Sequence, residues 1–229
     1  IGLGIPAEPL FRSRDKCKMI PMQIDLSSIG MEKGKQYETI ITTHNSKGAQ
    51  NAAPIGVICS GPDKVLCRIF KGRHTLDNMC GQREFVVNIT HNPELFYMST
   101  LGNLPESYFS KNDSIKDVDA YFKCEVTSLK EAVKRSDPIK SNGEAIIIKA
   151  NAVELVIKRD IKAFNRGFGH VIESLSNYSR FDLVDEAKKQ DYIKSFREAR
   201  RVVRKIGYKK DIEAMKVIEK KIKEKGYDV

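Results

Sequence analysis

The amino-acid sequence predicts a mainly β fold with added α: an antiparallel barrel of five or six strands followed by a helical C-terminal extension. Three observations carry this expectation. Six runs rich in β-branched and aromatic residues fall between positions 37 and 156, and most are bounded by turn-forming residues. Only short helical patterns interrupt them, which argues against a doubly wound parallel sheet and its long crossover helices. Beyond position 160 the apolar spacing changes to the helical period.

Each element follows in order. Residues 1–35 have weak periodicity, with Pro6, Pro9, Pro21, Gly30 and Gly34 as breakers, and are expected to form an N-terminal arm or irregular cap. The barrel is expected over 36–160. Residues 37–43 make the first strand, and a polar turn over 44–50 contains Asn45, Ser46, Lys47 and Gly48. A second strand over 52–59 turns at Gly61-Pro62-Asp63 into a third over 65–70, an antiparallel meander. Residues 75–81 read as a short helix closed by Gly81, and 85–89 resume the sheet. Asn92-Pro93-Glu94 opens a helical or irregular piece, a polar stretch follows over 113–119, and strands over 120–129 and 145–156 complete the set.

The last third, 161–229, carries three apolar stripes at helical spacing. They are Phe168, Val171, Ile172, Leu175 and Tyr178; then Tyr192, Phe196, Ala199, Val203 and Ile206; then Ile212, Met215, Ile218 and Ile222. All three are read as packing faces that cover the barrel or a dimer partner. Gly207 ends the second helix, Asp211 is the expected N-cap of the third, and Gly226 closes it.

Composition narrows the class. At 229 residues and 41% hydrophobic content the chain can build a real core. Its five cysteines, Cys17, Cys59, Cys67, Cys80 and Cys124, are odd in number and form no Cys-x-x-Cys pair, which fits a reducing cytosol and a cytoplasmic protein. There is neither a leader pattern nor a run of about 18 apolar residues, so secretion and membrane spanning are not expected. The chain opens on Ile1 rather than a methionine, and a missing natural start is an open expectation. The net charge of +10 raises the question of a nucleic-acid partner. Residues 181–229 hold fifteen Lys or Arg against ten Asp or Glu, so half the excess sits in the helical tail. Acidic and basic residues interleave there at i, i+3 and i, i+4, as on a solvated helix face.

The chemistry concentrates between positions 42 and 88. The run Arg68-Ile69-Phe70-Lys71-Gly72-Arg73-His74-Thr75 places cations, a glycine and a hydroxyl where a strand gives way to a helix. A phosphate monoester suits such a junction: guanidinium and ammonium groups, a hydroxyl and free amides at a helix N-terminus all answer its charge and acceptor oxygens. The second element is Thr42-Thr43 with Asn51-Ala52-Ala53-Pro54-Ile55-Gly56, whose small side chains let a flat ring lie against backbone. Taken alone it also reads as a plain hairpin. His74 is assigned to a phosphate or helix-capping role. His44, His91 and His170 have no partner at ligand spacing, so no metal site is expected.

Together with Glu84-Phe85-Val86-Val87-Asn88, these motifs resemble the flavin-reductase-like FMN-binding split barrels, and more narrowly a branch of uncharacterised archaeal flavoproteins. The motif-bearing resemblance covers about residues 37 to 90. It implies a split barrel that binds FMN across a homodimer interface. The phosphate would lie near Lys71, Gly72, Arg73, His74 and Thr75, the isoalloxazine would be lined by Asn51, Ala52 and Ala53, and Thr42 and Thr43 would sit beneath the ring. Asn78 and Asn88 would be supporting residues. The family moves hydride or electrons through its flavin, with a nicotinamide or deazaflavin as donor and no obligatory acid–base residue.

Three functions follow: an FMN-dependent oxidoreductase of flavin-reductase type, a non-catalytic flavin carrier, and a basic nucleic-acid-binding barrel. The last ranks far behind, because the chain has no Trp and 8% aromatic residues, too few for a stacking platform. No Gly-x-Ser-x-Gly elbow or Gly-x-Gly-x-x-Gly loop suggests other chemistry. Asn165, Arg166 and Glu173 at the start of the helical tail are assigned to structural pairing, with the flavin pocket as the alternative.

Overall fold

A computed structural model describes residues 24–133 and 144–229. Positions 1–23, with Pro6, Pro9, Pro21 and Cys17 of the expected arm, lie outside the described residues. Six strands form one closed antiparallel barrel: β1 (Gln36–His44), β2 (Gln50–Gly61), β3 (Lys64–Phe70), β4 (Glu84–Ile89), β5 (Ala120–Val133) and β6 (Glu144–Ile157). Their order around the barrel is β1-β2-β3-β6-β5-β4, so the β1-β2-β3 meander is closed by the three later strands, with β6 beside β3 and β4 beside β1. Alternation decides which side chains enter. On β3, Val65, Cys67 and Ile69 are buried while Leu66, Arg68 and Phe70 are half-exposed on the outer face. The barrel interior is filled by Tyr37, Ile41, Val57, Phe85, Val87, Phe122 and Ile148, among others. Each such burial contributes about 1.5 to 3 kcal/mol.

One end of the barrel is sealed by residues 24–35. A single turn, Leu26–Ile29, is capped by Asp25 and buries Leu26 and Ile29 completely. Backbone bonds from Leu26 N to Pro62 O and from Gly34 N to Cys59 O hold it on the rim. Helix α1 (His74–Gln82) crosses between β3 and β4, and α2 (Pro93–Leu101) lies on the outer face of β2 over a second apolar cluster that includes Ile40, Ala52, Val86, Leu95, Phe109 and Ile115.

The tail forms three helices, α3 (Gly167–Ser179), α4 (Glu186–Ile206) and α5 (Lys209–Glu224), with their own core of Val171, Phe196, Val203, Met215, Ile218 and Ile222. A few polar contacts join bundle and barrel. Lys35 donates to Gly207 O, Tyr37 and Tyr208 share a hydroxyl bond of 3.0 Å, and Asn165 donates to Gln36 O and Ile206 O. Arg166 pairs with Glu38 at 3.1 Å.

Three sequence expectations need correction. Gly81 does not close α1; the helix runs one residue further and Arg83 takes the left-handed position, with φ 60°. Its amide reaches Met79 O, and its guanidinium donates to Val126 O, a bond that glycine could not make. Asp211 is not the N-cap of α5 but lies three residues inside, accepting the Tyr208 amide at 2.8 Å as the return arm of a capping box. The α3 stripe is not one packing face. Val171 is buried with Gly167 and Ser174 against the other helices, whereas Phe168, Ile172 and Leu175 are 62%, 48% and 44% exposed.

Candidate functional site

The site starts from a break in the ladder. β2 pairs with β1 from Gln50 to Ile58, but with β3 only from Val57 to Gly61. Beyond the Val57–Cys67 pair the two strands diverge, so Arg68, Ile69 and Phe70 pair with β6 alone. The barrel wall therefore forks at this point, and the peptide groups along both arms need partners other than a neighbouring strand. At the far end of the fork Asn103 provides them, accepting from Ala52 N at 3.0 Å and donating to Gln50 O at 2.9 Å. Two residues on, in the same peptide orientation, Pro54 has no N–H to leave unpaired. The end of the Gln36 side chain lies where a Cβ at position 56 would stand, so a larger residue there would oblige that side chain to move.

The fork opens into a cleft of about 470 Å³. One wall is Ala53, Pro54, Ile55 and Gly56 of β2; the other is Arg68, Ile69 and Phe70 of β3. Arg73 and Thr75 at the start of α1 close one end, and Ser99 and Thr100 of α2 overhang it. No Asp or Glu is among the described residues lining this space, while two guanidinium groups are. Two guanidinium groups and one largely apolar wall are a form suited to a flat anionic ligand. Gly72 makes the turn between β3 and α1 with φ 75°, a left-handed conformation that other residues adopt at a cost. The Arg68 guanidinium carbon lies 5.1 Å from the centre of the Phe70 ring.

Of the residues expected from sequence, the structure brings Ala53, Arg73 and Thr75 together in this cleft. Asn51 stands behind it and donates to Thr75 Oγ1 at 3.0 Å, orienting that hydroxyl. Ala52 faces the opposite way, buried under α2. Lys71 is exposed and pairs with Glu131 at 2.8 Å, and His74 is exposed on the first turn of α1. Thr42 and Thr43 are not in the cleft. They line a separate small pocket with His44, Glu84, Phe85, Val86, Asp113 and Lys123. There Thr42 Oγ1 donates to Asp113 O at 2.6 Å, and Thr43 Oγ1 accepts from Asn78 at 3.0 Å. Asn88 is fully buried, donating to Ile40 O and Thr42 Oγ1 and accepting from Ile115 N. Asn165 and Arg166 make the barrel–bundle contacts described above.

Sequence spacing did not reveal Asn103, Ser99 and Thr100, because their place depends on how the excursion between β4 and β5 folds back over β2. Nor did it reveal the carboxylates around His44. Asp113 Oδ2 is 2.8 Å from His44 Nδ1, Glu84 is 4.0 Å from Nε2, and Lys123 pairs with Glu84 at 2.7 Å. The hydrogen bond to Glu84 holds the Lys123 ammonium above its ordinary pKa. Asp113 takes φ 64° and also accepts from Gln50 at 2.6 Å, so this cluster latches the excursion onto the ends of β1 and β2. Among the described residues no group of three or more His, Cys, Asp or Glu is placed to hold a metal ion.

Comparison with known proteins gives two family-model matches. Residues 37–159 match the N-terminal domain of a protein of unknown function, DUF447, and residues 165–220 match a second model described as a protein of unknown function, DUF447. An uncharacterized protein of Methanocaldococcus jannaschii is 25% identical over 176 residues, covering 74% of this chain and 89% of its own. The crystal structure of an FMN-bound DUF447 protein from Methanosarcina mazei shares 27% identity over 86% of this chain and 99% of its own, with a TM-score of 0.49. The styrene monooxygenase flavin reductase of Pseudomonas putida S12 shares 13% identity over 53% of this chain and 79% of its own, with a TM-score of 0.42.

Proposed function

Since the chain belongs to the DUF447 family through both its barrel and its helical tail, we propose that it is an FMN-binding flavoprotein whose cofactor lies in the cleft at the β2–β3 fork. The observation that carries this reading is the cleft itself: an apolar β2 wall, a β3 wall bearing Arg68, and Arg73 with a helix N-terminus at one end, with no acid among its described lining residues. The residues fit the group. Arg73, Thr75 and the first amides of α1 suit a phosphate, and Ala53 to Gly56 leave room for a flat ring. That the ligand is FMN draws on the Methanosarcina mazei protein, which is described as FMN-bound and assigned to the same family.

A bound flavin supplies hydride or electron transfer. The chain's own residues hold it, orient it and exclude water: Arg73 and Thr75 anchor one end, Asn51 fixes the Thr75 hydroxyl, and α2 overhangs the ring wall. On this reading the protein is an oxidoreductase of flavin-reductase type, supplied by a nicotinamide or deazaflavin donor that docks on the open side. Self-association as a homodimer belongs to the same reading and is supported by the apolar side chains that α3 leaves exposed. A cytoplasmic location is supported by the free thiols of Cys59, Cys67, Cys80 and Cys124 among the described residues. No helix among the described residues is long and apolar enough to cross a membrane.

The test is an absorption spectrum of protein purified without added cofactor, followed by denaturation and chromatography of what is released. Near-stoichiometric FMN is the expected result. Colourless protein that takes up no added FMN would overturn the reading. Bleaching of the bound flavin by reduced nicotinamide or deazaflavin then separates an oxidoreductase from a passive carrier.

A further inference from the structure

Helix α3 carries an apolar face that its own chain leaves uncovered. Gly167, Val171 and Ser174 are buried, while Phe168, Ile172 and Leu175 stand exposed at i, i+4 and i+7 on the other side. That spacing is the seam along which one helix packs on another. Gly169 and Ser176, seven residues apart, flank the seam on one edge. Nothing within the described residues requires a glycine at position 169. Its φ is not left-handed, and apart from its own helix backbone no described atom lies within 4 Å of an added Cβ. A glycine there weakens the helix, a cost that close approach of a second backbone offsets. We propose that this face is an isologous interface between two copies of the chain, with α3 packed antiparallel on α3 of the partner subunit about a twofold axis at Ile172. The inference deepens the self-association part of the flavoprotein reading and rests on that part alone.

Two observations select a second copy as the occupant. Among the described residues α3 is the only element that exposes three large apolar side chains; α2 and β6 expose two each, and Leu183 and Val217 stand singly. The surface that matches this seam is therefore the same seam on another copy. Charge points the same way. The chain carries +10, yet α3 contains no Lys or Arg and a single acid, Glu173, whereas α4 contains eight Lys or Arg. Of the three tail helices, α3 is the one on which two like-charged copies meet with least repulsion. About a twofold axis at Ile172 the residues match in pairs. Ile172 meets its own copy, Phe168 meets Leu175 of the partner subunit, and Gly169 meets Ser176 of the partner subunit. Large side chains fill one edge of the seam, and the small pair lets the two backbones close on the other.

The test is the molar mass of the full chain by size-exclusion chromatography with light scattering, with dissociation constants taken from dilution. The wild type should have the mass of two chains. Ile172→Glu sets two like charges against each other at the axis, so the dissociation constant should rise about 100-fold or more. Gly169→Leu should raise it about tenfold or more by overpacking the close edge. The same variant should keep its helical signal and its urea midpoint under dilute conditions, because the single chain has room for the side chain; a purely structural glycine would not give that split. Val217→Glu, a similar change on the exposed face of α5, should leave the mass unchanged. If Ile172→Glu fails to fold, as judged by circular dichroism, Gly169→Leu decides. A folded variant of either kind that remains a full-strength dimer would overturn the proposal, as would equal disruption by Val217→Glu, and self-association would then belong to another face. A wild-type chain that stays monomeric would overturn both the interface and the self-association. Flavin content is read separately from the absorption spectrum, so failure of cofactor binding is told apart from either result.

Discussion

At the scale of single residues, the barrel's buried polar groups are the ones whose roles the sequence leaves open. Thr42, Thr43 and Asn88 are almost completely inaccessible, and each has its hydrogen bonds made by other groups of the chain. A threonine pair next to a small-residue strand reads equally as ligand wall or as internal support until the fold shows where the hydroxyls point. Asn88→Leu would leave Ile115 N–H without its acceptor in a buried site, so stability should fall by about 2 kcal/mol or more, read by urea denaturation. Gly72 differs in kind. Its φ of 75° costs an L-residue about 1 to 2 kcal/mol, and no atom lies within 4 Å of an added Cβ. Gly72→Ala should therefore lower the denaturation midpoint through backbone strain alone.

At the scale of elements, strands and helices were legible because hydrophobic period and turn chemistry are local. Every strand predicted from those signals is present, with ends moved by a few residues. What local signals could not supply is where a ladder stops. That β2 and β3 part after Val57–Cys67 depends on β1 and β6 taking the diverging arms, and with that parting go the cleft, the Asn103 bracket and the place of Arg68. The turn between α4 and α5 is likewise a tertiary feature. A Cβ on Gly207 would stand 2.8 Å from Val203 O, and one on Gly167 would stand 2.9 Å from the Gly207 Cα, so the α3 start and this turn meet backbone to backbone. Gly207→Ala should cost the bundle about 1 to 3 kcal/mol, seen as loss of helical signal at lower denaturant than in the wild type.

At the scale of the whole molecule, the core contains groups that can ionise only when it opens. Burial pushes the Cys67 thiol up to about 12 and the Cys124 thiol well above its ordinary value, and it also raises the Tyr37 hydroxyl. A raised acid in the folded state means that the unfolded chain loses its proton first. The stability these groups confer is complete below the ordinary thiol value of about 9 and declines as pH rises above it. Unfolding free energy should therefore decrease from about pH 8 to about pH 10, and the Cys67→Ala, Cys124→Ala double variant should show a shallower slope. The bundle meets the barrel through polar contacts around Tyr37, Tyr208 and Asn165, whereas each unit holds an apolar core of its own.

The fork has a consequence for colloidal behaviour. Two strand margins that lack a lateral neighbour are templates for another chain's backbone, and Asn103 and Pro54 blunt only part of one of them. Whatever fills the gap between the margins also shields them. Protein stripped of its ligand should scatter more light on concentration than loaded protein, and adding FMN back should reverse the increase. The ligand would then be serving solubility as well as chemistry.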